Sequence, residues 1–181
     1  MIITMASISL DGFFEGPGHD IGWHHMDDEL HEHMNAELAT MSTFLDGRRN
    51  HELMLQAWPH AEDNPGWPQA MRDFAPIWRT TRKIVYSRTR QFTEWNTETR
   101  TEVDPDEVRN LPGDSVVGGN ELLQTFFEHD LVDEIRLYVN PVALGAGTPF
   151  FRKPNALALK STRAFGVGVV LLTYGRRQGS R

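Results

Sequence analysis

A short apolar run, Ser115-Val116-Val117, is broken at once by Gly118-Gly119 and followed by Asn120-Glu121-Leu122-Leu123-Gln124-Thr125-Phe126-Phe127 at helical spacing. A strand that turns into a helix within two residues needs glycine's backbone freedom and leaves little choice of local fold. The same order occurs earlier. Thr43-Phe44-Leu45 reads as a short buried strand, Asp46-Gly47 closes it, and a helix covers Arg49 to Ala57, stopping before Trp58-Pro59.

The rest of the chain alternates in the same way. Residues 1–10 read as a strand ended by Asp11-Gly12, and Leu30, Met34, Leu38 and Met41 mark a helix from Asp27 to about Met41. Residues 58–68 hold three prolines and read as loop, Lys83 to Ser87 as a strand, and 93–103 as a more exposed one. Pro105 opens a short helix, and Ile135, Leu137 and Val139 alternate as a strand. Strands at about 157–164 and 167–174 form a closing hairpin. Alternating strands and helices predict an α/β layer fold with a largely parallel sheet and an antiparallel edge. With 181 residues and no repeat or linker, one domain over 1–175 is expected, with 176–181 as a short tail.

Charge and composition remove several functions. The net charge is 18 − 25 = −7, which argues against broad nucleic-acid or anionic-membrane binding. The absence of cysteine excludes disulfides, zinc-thiolate sites, iron–sulfur clusters and a thiol nucleophile. No window approaches the roughly 18–20 apolar residues of a membrane span, and the start lacks a basic leader, so a cytoplasmic protein is expected. His19, His24, His25, His31 and His33 crowd one region, but their spacing matches no zinc motif and no metal is expected. No G-x-S-x-G, G-x-x-x-x-G-K-[ST] or G-x-G-x-x-G pattern occurs, so hydrolase and triphosphatase readings lose their support.

Three strand ends carry candidate anion chemistry. Gly118-Gly119 at a helix start offers free backbone N–H groups to a phosphate, although any tight turn could use the same glycines. Gly47-Arg48-Arg49 sets two cations at another helix start, where the dipole disfavours them unless an anion is near; a solvated pair is the simpler reading of these two alone. Ser87-Arg88, with Arg90 close behind, ends a third strand. Ligands of open α/β sheets gather at the carboxyl ends of strands, and three such ends together suit a dinucleotide with several phosphates.

In chain order the pieces are Ser9-Leu10-Asp11-Gly12-Phe13, Gly47-Arg48-Arg49, Tyr86-Ser87-Arg88, Val117-Gly118-Gly119-Asn120, and Leu131-Val132-Asp133-Glu134-Ile135 leading to Pro141-Val142-Ala143-Leu144-Gly145-Ala146-Gly147. This resembles the dihydrofolate-reductase-like superfamily, within it the group related to the C-terminal reductase domain of bacterial riboflavin biosynthesis. The resemblance implies a three-layer fold: a mostly parallel eight-stranded sheet with a C-terminal antiparallel hairpin and helices on both faces. It also implies NADPH as hydride donor and a homodimer. Gly47, Arg48 and Arg49 would then meet the cofactor phosphates, Ser87 and Arg88 the adenine ribose, and Gly118, Gly119 and Asn120 the pyrophosphate. Ala6 to Gly12 would lie against the nicotinamide.

The chain also departs from that group. The group often has Thr where this chain has Asn50, and a lysine before S-L-D-G that is missing here. The zinc deaminase often fused to the riboflavin reductase needs a P-C-x-x-C motif, which a cysteine-free chain lacks. Asp27, Asp28 and Glu29 bunch at a helix start and read as dipole capping, so folate reduction is not supported. The expected activity is hydride transfer from NADPH to a small planar or carbonyl substrate, including pyrimidine or pterin-like compounds. The narrower alternative is a stand-alone riboflavin-pathway pyrimidine reductase, and the rival is a nucleotide-binding protein without catalysis. Asp11 is the nearest candidate acid, with a bound water as the alternative and a simple Asp-Gly turn as the plain reading. Trp23 could wall the substrate pocket and Tyr138 could offer it a hydroxyl; both are more often core aromatics.

Overall fold

The computed structural model describes residues 1–176. Its elements are β1 (Ile2–Ile8), β2 (Phe13–Glu15), α1 (Asp28–Leu38), β3 (Thr43–Gly47), α2 (Arg48–Ala57), α3 (Gln69–Thr80), β4 (Arg82–Tyr86), β5 (Thr97–Arg100), α4 (Pro105–Arg109), β6 (Ser115–Gly118), α5 (Asn120–Glu128), β7 (Glu134–Val139), β8 (Thr148–Pro149), β9 (Leu157–Ala164) and β10 (Val170–Arg176). Eight strands form one sheet in the order β5-β4-β3-β6-β1-β7-β10-β9. The first six run parallel, β10 is antiparallel to β7, and β9 is antiparallel to β10. β2 and β8 pair as a separate two-stranded ribbon.

Buried parallel strands read as nearly continuous apolar runs because both faces are covered. On β1, alternate residues go to opposite layers. Ile2, Ala6 and Ile8 pack with Val108 of α4 and Leu122, Leu123 and Phe126 of α5. Ile3 joins Phe44, Val116, Phe74 and Trp78 on the other face, where α1, α2 and α3 lie. Helices therefore cover both faces, and the expected three-layer α/β architecture is the observed one.

The boundaries differ where local physics overrides periodicity. α1 stops at Leu38 instead of near Met41, and Asp27 precedes it as a cap, accepting from the Leu30 amide at 2.9 Å. β10 runs to Arg176, so that residue belongs to the sheet, while the expected tail at 177–181 lies outside the described residues. α3, over residues 69–80, has no counterpart in the sequence reading.

Two features prepare the strand edge for a ligand. The β1–β6 ladder ends at Thr4 opposite Val117, whereas the β1–β7 ladder continues to Ile8 opposite Val139. From Met5 to Ile8, β1 thus has β7 on one side and no strand on the other. In addition, α2 and α5 start at Gly47 and Gly119 with no side-chain cap, whereas Asp27 caps α1 and Asp104 caps α4. α3 also lacks a side-chain cap, with Pro68 before it.

Candidate functional site

The parallel register brings Asp46 opposite Gly118 and Gly47 opposite Tyr86. The starts of α2 and α5 meet there: a Cβ built on Gly119 would lie 3.9 Å from the Gly47 nitrogen. Gly119 has φ +85°, a conformation natural to glycine, and a Cβ on Gly118 would lie 2.6 Å from Asp46 Oδ1 and 2.8 Å from Asn50 Nδ2. The glycine pair is therefore required by its own surroundings, and the uncapped amides are the consequence. Asp46 is buried, and its Oδ1 accepts from Asn50 Nδ2 at 2.7 Å. Asn50, where the resembling group has Thr, buttresses the Gly118-Gly119 turn from beneath.

Around these helix starts stand the arginines. Arg48 is exposed and pairs with Glu52 at 2.9 Å. Arg49 extends away from α2 to His19, with Nη1 3.0 Å from both ring nitrogens. His19 Nδ1 in turn lies 2.8 Å from Glu15 Oε1. Ser87 is buried, and its hydroxyl accepts from the Arg90 and Thr89 amides at 3.0 and 3.4 Å, so it organises the turn that displays Arg88 and Arg90. Arg88 is the exposed member of the expected pair. Gly47, Arg48, Gly118, Gly119 and the Ser87-Arg88 turn thus occupy neighbouring strand ends.

The Asn120 side chain is buried at the start of α5. Its amide nitrogen donates to the Pro149 carbonyl at 3.0 Å and its oxygen accepts from Gln124 at 2.8 Å, which ties α5 to β8. With its side chain engaged at both ends, Asn120 has only its backbone at the helix start left for an anion.

The β1–β7 side is a set of loops sewn together. Asn140, 1% exposed, donates to the Tyr138 carbonyl at 3.0 Å and accepts from the His25 amide at 2.8 Å. This fixes the segment preceding α1 over the strand ends, with the half-buried Trp23 just before it. Trp23 donates from Nε1 to the Asp20 carbonyl at 2.9 Å and meets His24 edge to face. Burial pushes the His24 imidazole below its ordinary pKa, and its Nε2 has no partner among the described residues. Ala6 and Gly12 lie at opposite ends of this stretch, Ala6 buried on β1 and Gly12 at φ +88° in the turn after it.

Two expected roles are corrected here. Asp11 accepts from the Ser9 hydroxyl at 2.6 Å, the Gly145 amide at 2.7 Å and the Leu144 amide at 3.1 Å. These contacts hold its carboxyl down to about 2, so it stays ionised and serves as a clamp between two loops; it is a poor proton donor. Tyr138 is 0% exposed, packed with Leu30, Phe165 and Val169, and its hydroxyl has no partner among the described residues. Burial raises its pKa, and no substrate reaches it without movement of α1 or of the loop at Phe165. It belongs to the core.

The sequence reading did not single out Asn140 or Glu52 as site residues. Nothing local distinguishes a turn asparagine at a strand end from one buried and bonded to a distant loop. Among the described residues no three histidine or carboxylate side chains converge as a metal site, and no helix is long and apolar enough to cross a membrane.

The family model of the RibD C-terminal domain matches residues 1–171. Among curated proteins, the uncharacterized protein YyaP of Bacillus subtilis (strain 168) is 32% identical over 181 aligned residues, 96% of this chain and 93% of that one. The uncharacterized protein YwjB of the same organism is 41% identical over 59 residues, 31% of this chain. Among solved structures, a protein attributed to riboflavin biosynthesis from Shewanella sp. PV-4 superposes with a TM-score of 0.73 at 18% identity, covering 98% of this chain and 99% of its own. A diaminohydroxyphosphoribosylaminopyrimidine deaminase/5-amino-6-(5-phosphoribosylamino)uracil reductase of Thermotoga maritima gives 0.65 at 16% identity, covering 98% of this chain and 56% of its own. At such identities the structural likeness speaks for the fold.

Proposed function

The chain belongs to the RibD C-terminal domain family, and from that premise we propose that it is an NADPH-dependent reductase delivering a hydride to a small planar or carbonyl substrate. One observation carries the reading: the glycine-started α2 and α5 meet at one strand edge, beside exposed arginines and next to a β1 segment with one side open. Two helix N-termini with unpaired amides suit the pyrophosphate, and the guanidiniums suit a phosphate monoester. The donor set fits the cofactor's phosphates.

NADPH, when bound, supplies the hydride. The backbone from Met5 to Ile8 offers peptide groups to the carboxamide of the nicotinamide, as an edge strand does to an added one. Gly47, Gly118 and Gly119 present amides, and Arg48 and Arg88 provide charge. Trp23 and His24 wall the open half, which keeps the reacting groups oriented. Asp11 holds the Leu144-Gly145 loop against the turn after β1. The proton that accompanies the hydride comes from water, since Asp11 remains ionised and Tyr138 is enclosed.

The partners under this proposal are a small molecule and a second copy of the chain, in the cytoplasm. A narrower assignment, a pyrimidine reductase of riboflavin synthesis, rests on the family alone. The test is thermal melting with NADPH and with NADH, followed by NADPH oxidation across carbonyl and pyrimidine substrates. Saturation at 100 times the dissociation constant should add about 2.7 kcal/mol of stability. No shift with NADPH would overturn the reading, and a shift without turnover of any substrate would favour a nucleotide-binding protein that lacks catalysis.

A further inference from the structure

Two stretches border the carboxyl ends of β1 and β7: residues 9–27, from the turn after β1 to the start of α1, and residues 140–150 after β7. Backbone bonds draw them together, since the Leu10 amide donates to the Val142 carbonyl at 2.7 Å and the His25 amide to Asn140 Oδ1 at 2.8 Å. Neither stretch holds a lysine or arginine. The first cation of the chain is Arg48. Residues 1–47 carry nine Asp and Glu and no Lys or Arg, a balance of 0 − 9 = −9, whereas residues 48–181 hold 18 basic against 16 acidic residues, 18 − 16 = +2. Two arginines approach from outside and both are engaged: Arg49 with His19 at 3.0 Å, and Arg163 of β9 with Glu29 at 3.1 Å. His24 supplies no charge at neutral pH, because burial holds its imidazole below the ordinary value. Asp11 stays ionised at the same strand end.

What these stretches expose is apolar. Leu10 is 69%, Ile21 53% and Met26 41% exposed, with the half-buried Trp23 between the last two in sequence. Of the six large apolar side chains exposed among the described residues, three therefore fall between residues 10 and 26. Single exposed apolar residues are ordinary; three on loops drawn to the same strand ends mark a surface for an apolar ligand.

A phosphate monoester carries about −1.5 to −2 at neutral pH and is held by guanidinium or ammonium groups. At these loops it meets carboxylates and apolar side chains, and like charges brought together discriminate against a partner. We propose that the substrate is an uncharged, flat carbonyl compound without a phosphate, received by Leu10, Ile21, Trp23 and Met26, and that the absence of cations here rejects phosphorylated compounds. This rests on the cofactor reading above. With NADPH bound, a hydride reaches the carbonyl carbon, the oxygen takes a proton from water, and an alcohol and NADP⁺ leave. The proposal parts this chain from the 5-amino-6-(5-phosphoribosylamino)uracil reductase of Thermotoga maritima, whose named substrate carries a phosphoribosyl group.

The probes are 4-methoxybenzaldehyde and 4-formylphenyl phosphate, which share a flat aldehyde and differ in charge. Binding is read calorimetrically with NADP⁺ present, which permits no turnover, and reaction as kcat/KM for NADPH oxidation. The wild-type protein is compared with Leu10→Lys, Ile21→Lys and, on the outer strand β9, Leu159→Lys; melting with and without NADPH checks folding and cofactor binding in each. The uncharged aldehyde should be preferred by about tenfold or more in both readouts, equivalent to about 1.4 kcal/mol. That preference should narrow in about 0.5 M salt, where exposed charges are screened. Leu10→Lys and Ile21→Lys should each erase most of it by tightening the phosphate, and Leu159→Lys should leave it unchanged. Equal or better binding of the phosphate by the wild-type protein, a preference that neither Leu10→Lys nor Ile21→Lys moves, or a methoxy compound that neither binds nor oxidises NADPH overturns the inference. If NADPH still raises the melting temperature in that event, the cofactor reading stands; if it does not, both fall together.

Discussion

The two ends of the strand edge are built on different principles. At β3, β4 and β6 the surface is made of backbone and charge: glycine-started helices, and arginines whose partners are other surface side chains. At β1 and β7 it is made of side chains bonded to distant backbone, with Asn140 reaching His25, Asp11 reaching Leu144 and Gly145, and Asn120 reaching Pro149. The first region displays charge that costs little to rearrange, because exposed pairs contribute only about 0–1 kcal/mol each. The second is a fixed wall in which the buried Asn140 and Asn120 are expensive to leave unpaired. A dinucleotide needs the one and a small substrate the other.

The contrast can be broken at several points. Gly118→Ala puts a methyl group against Asp46 and Asn50, and overpacking of this kind costs about 1–3 kcal/mol. It should lower stability near the top of that range in urea denaturation and abolish the NADPH response; an unaltered protein would mean that the Asp46–Asn50 pair gives way freely. Asn140→Ala removes a buried side chain and leaves the His25 amide without its partner, for a loss of about 2 kcal/mol. Adenosine 2′,5′-bisphosphate affinity should nevertheless hold within about twofold, and a parallel collapse of that affinity would erase the distinction between the regions.

Smaller effects sharpen it. Arg48→Ala combined with Arg49→Ala should leave stability within about 0.5 kcal/mol, as surface changes do. It should weaken NADPH about tenfold or more relative to NADH, read by fluorescence titration; equal losses for both cofactors would make the arginines structural. Asp11→Asn is the mildest. The lowered carboxyl pKa means that the Asp11 contribution is present above the ordinary value of 3.8 and is lost as pH falls towards 2. The variant should show a flatter acid limb between those values and retain NADPH oxidation at pH 7. Loss of turnover with intact cofactor binding would return Asp11 to a catalytic role.

The legible parts of the molecule are those that local backbone chemistry decides. Gly118 and Gly119 announce themselves because the turn from β6 into α5 takes Gly119 to φ +85° and leaves no room for a Cβ on Gly118, and the sheet follows from the apolar runs that end at such glycines. α3 was hidden by Pro76, which suggests a broken helix, yet Pro76 lies on the exposed side while Ala70, Phe74 and Trp78 make the buried stripe. Lys83 falls in an expected strand, but nothing local foretells that it is fully buried, with its ammonium donating to the Thr81 and Trp95 carbonyls. Asp11 reads as a turn residue or an acid, and the amides that decide between these are 133 and 134 residues away. Side-chain roles that depend on such partners are invisible until the chain is folded.

The position of β1 bears on how the chain assembles during synthesis. It is made before every other strand of the sheet, yet Thr4 lies 113 residues from its partner Val117 on one side, and Ile2 is 131 residues from Asp133 on the other. Contacts of such span slow folding, because the connecting chain must be ordered before they reward it. Until β6 and β7 are made, an apolar strand waits without neighbours, the condition in which nascent chains stick to one another or call on chaperones. The element at the centre of the finished sheet is thus the most vulnerable one while it is being made.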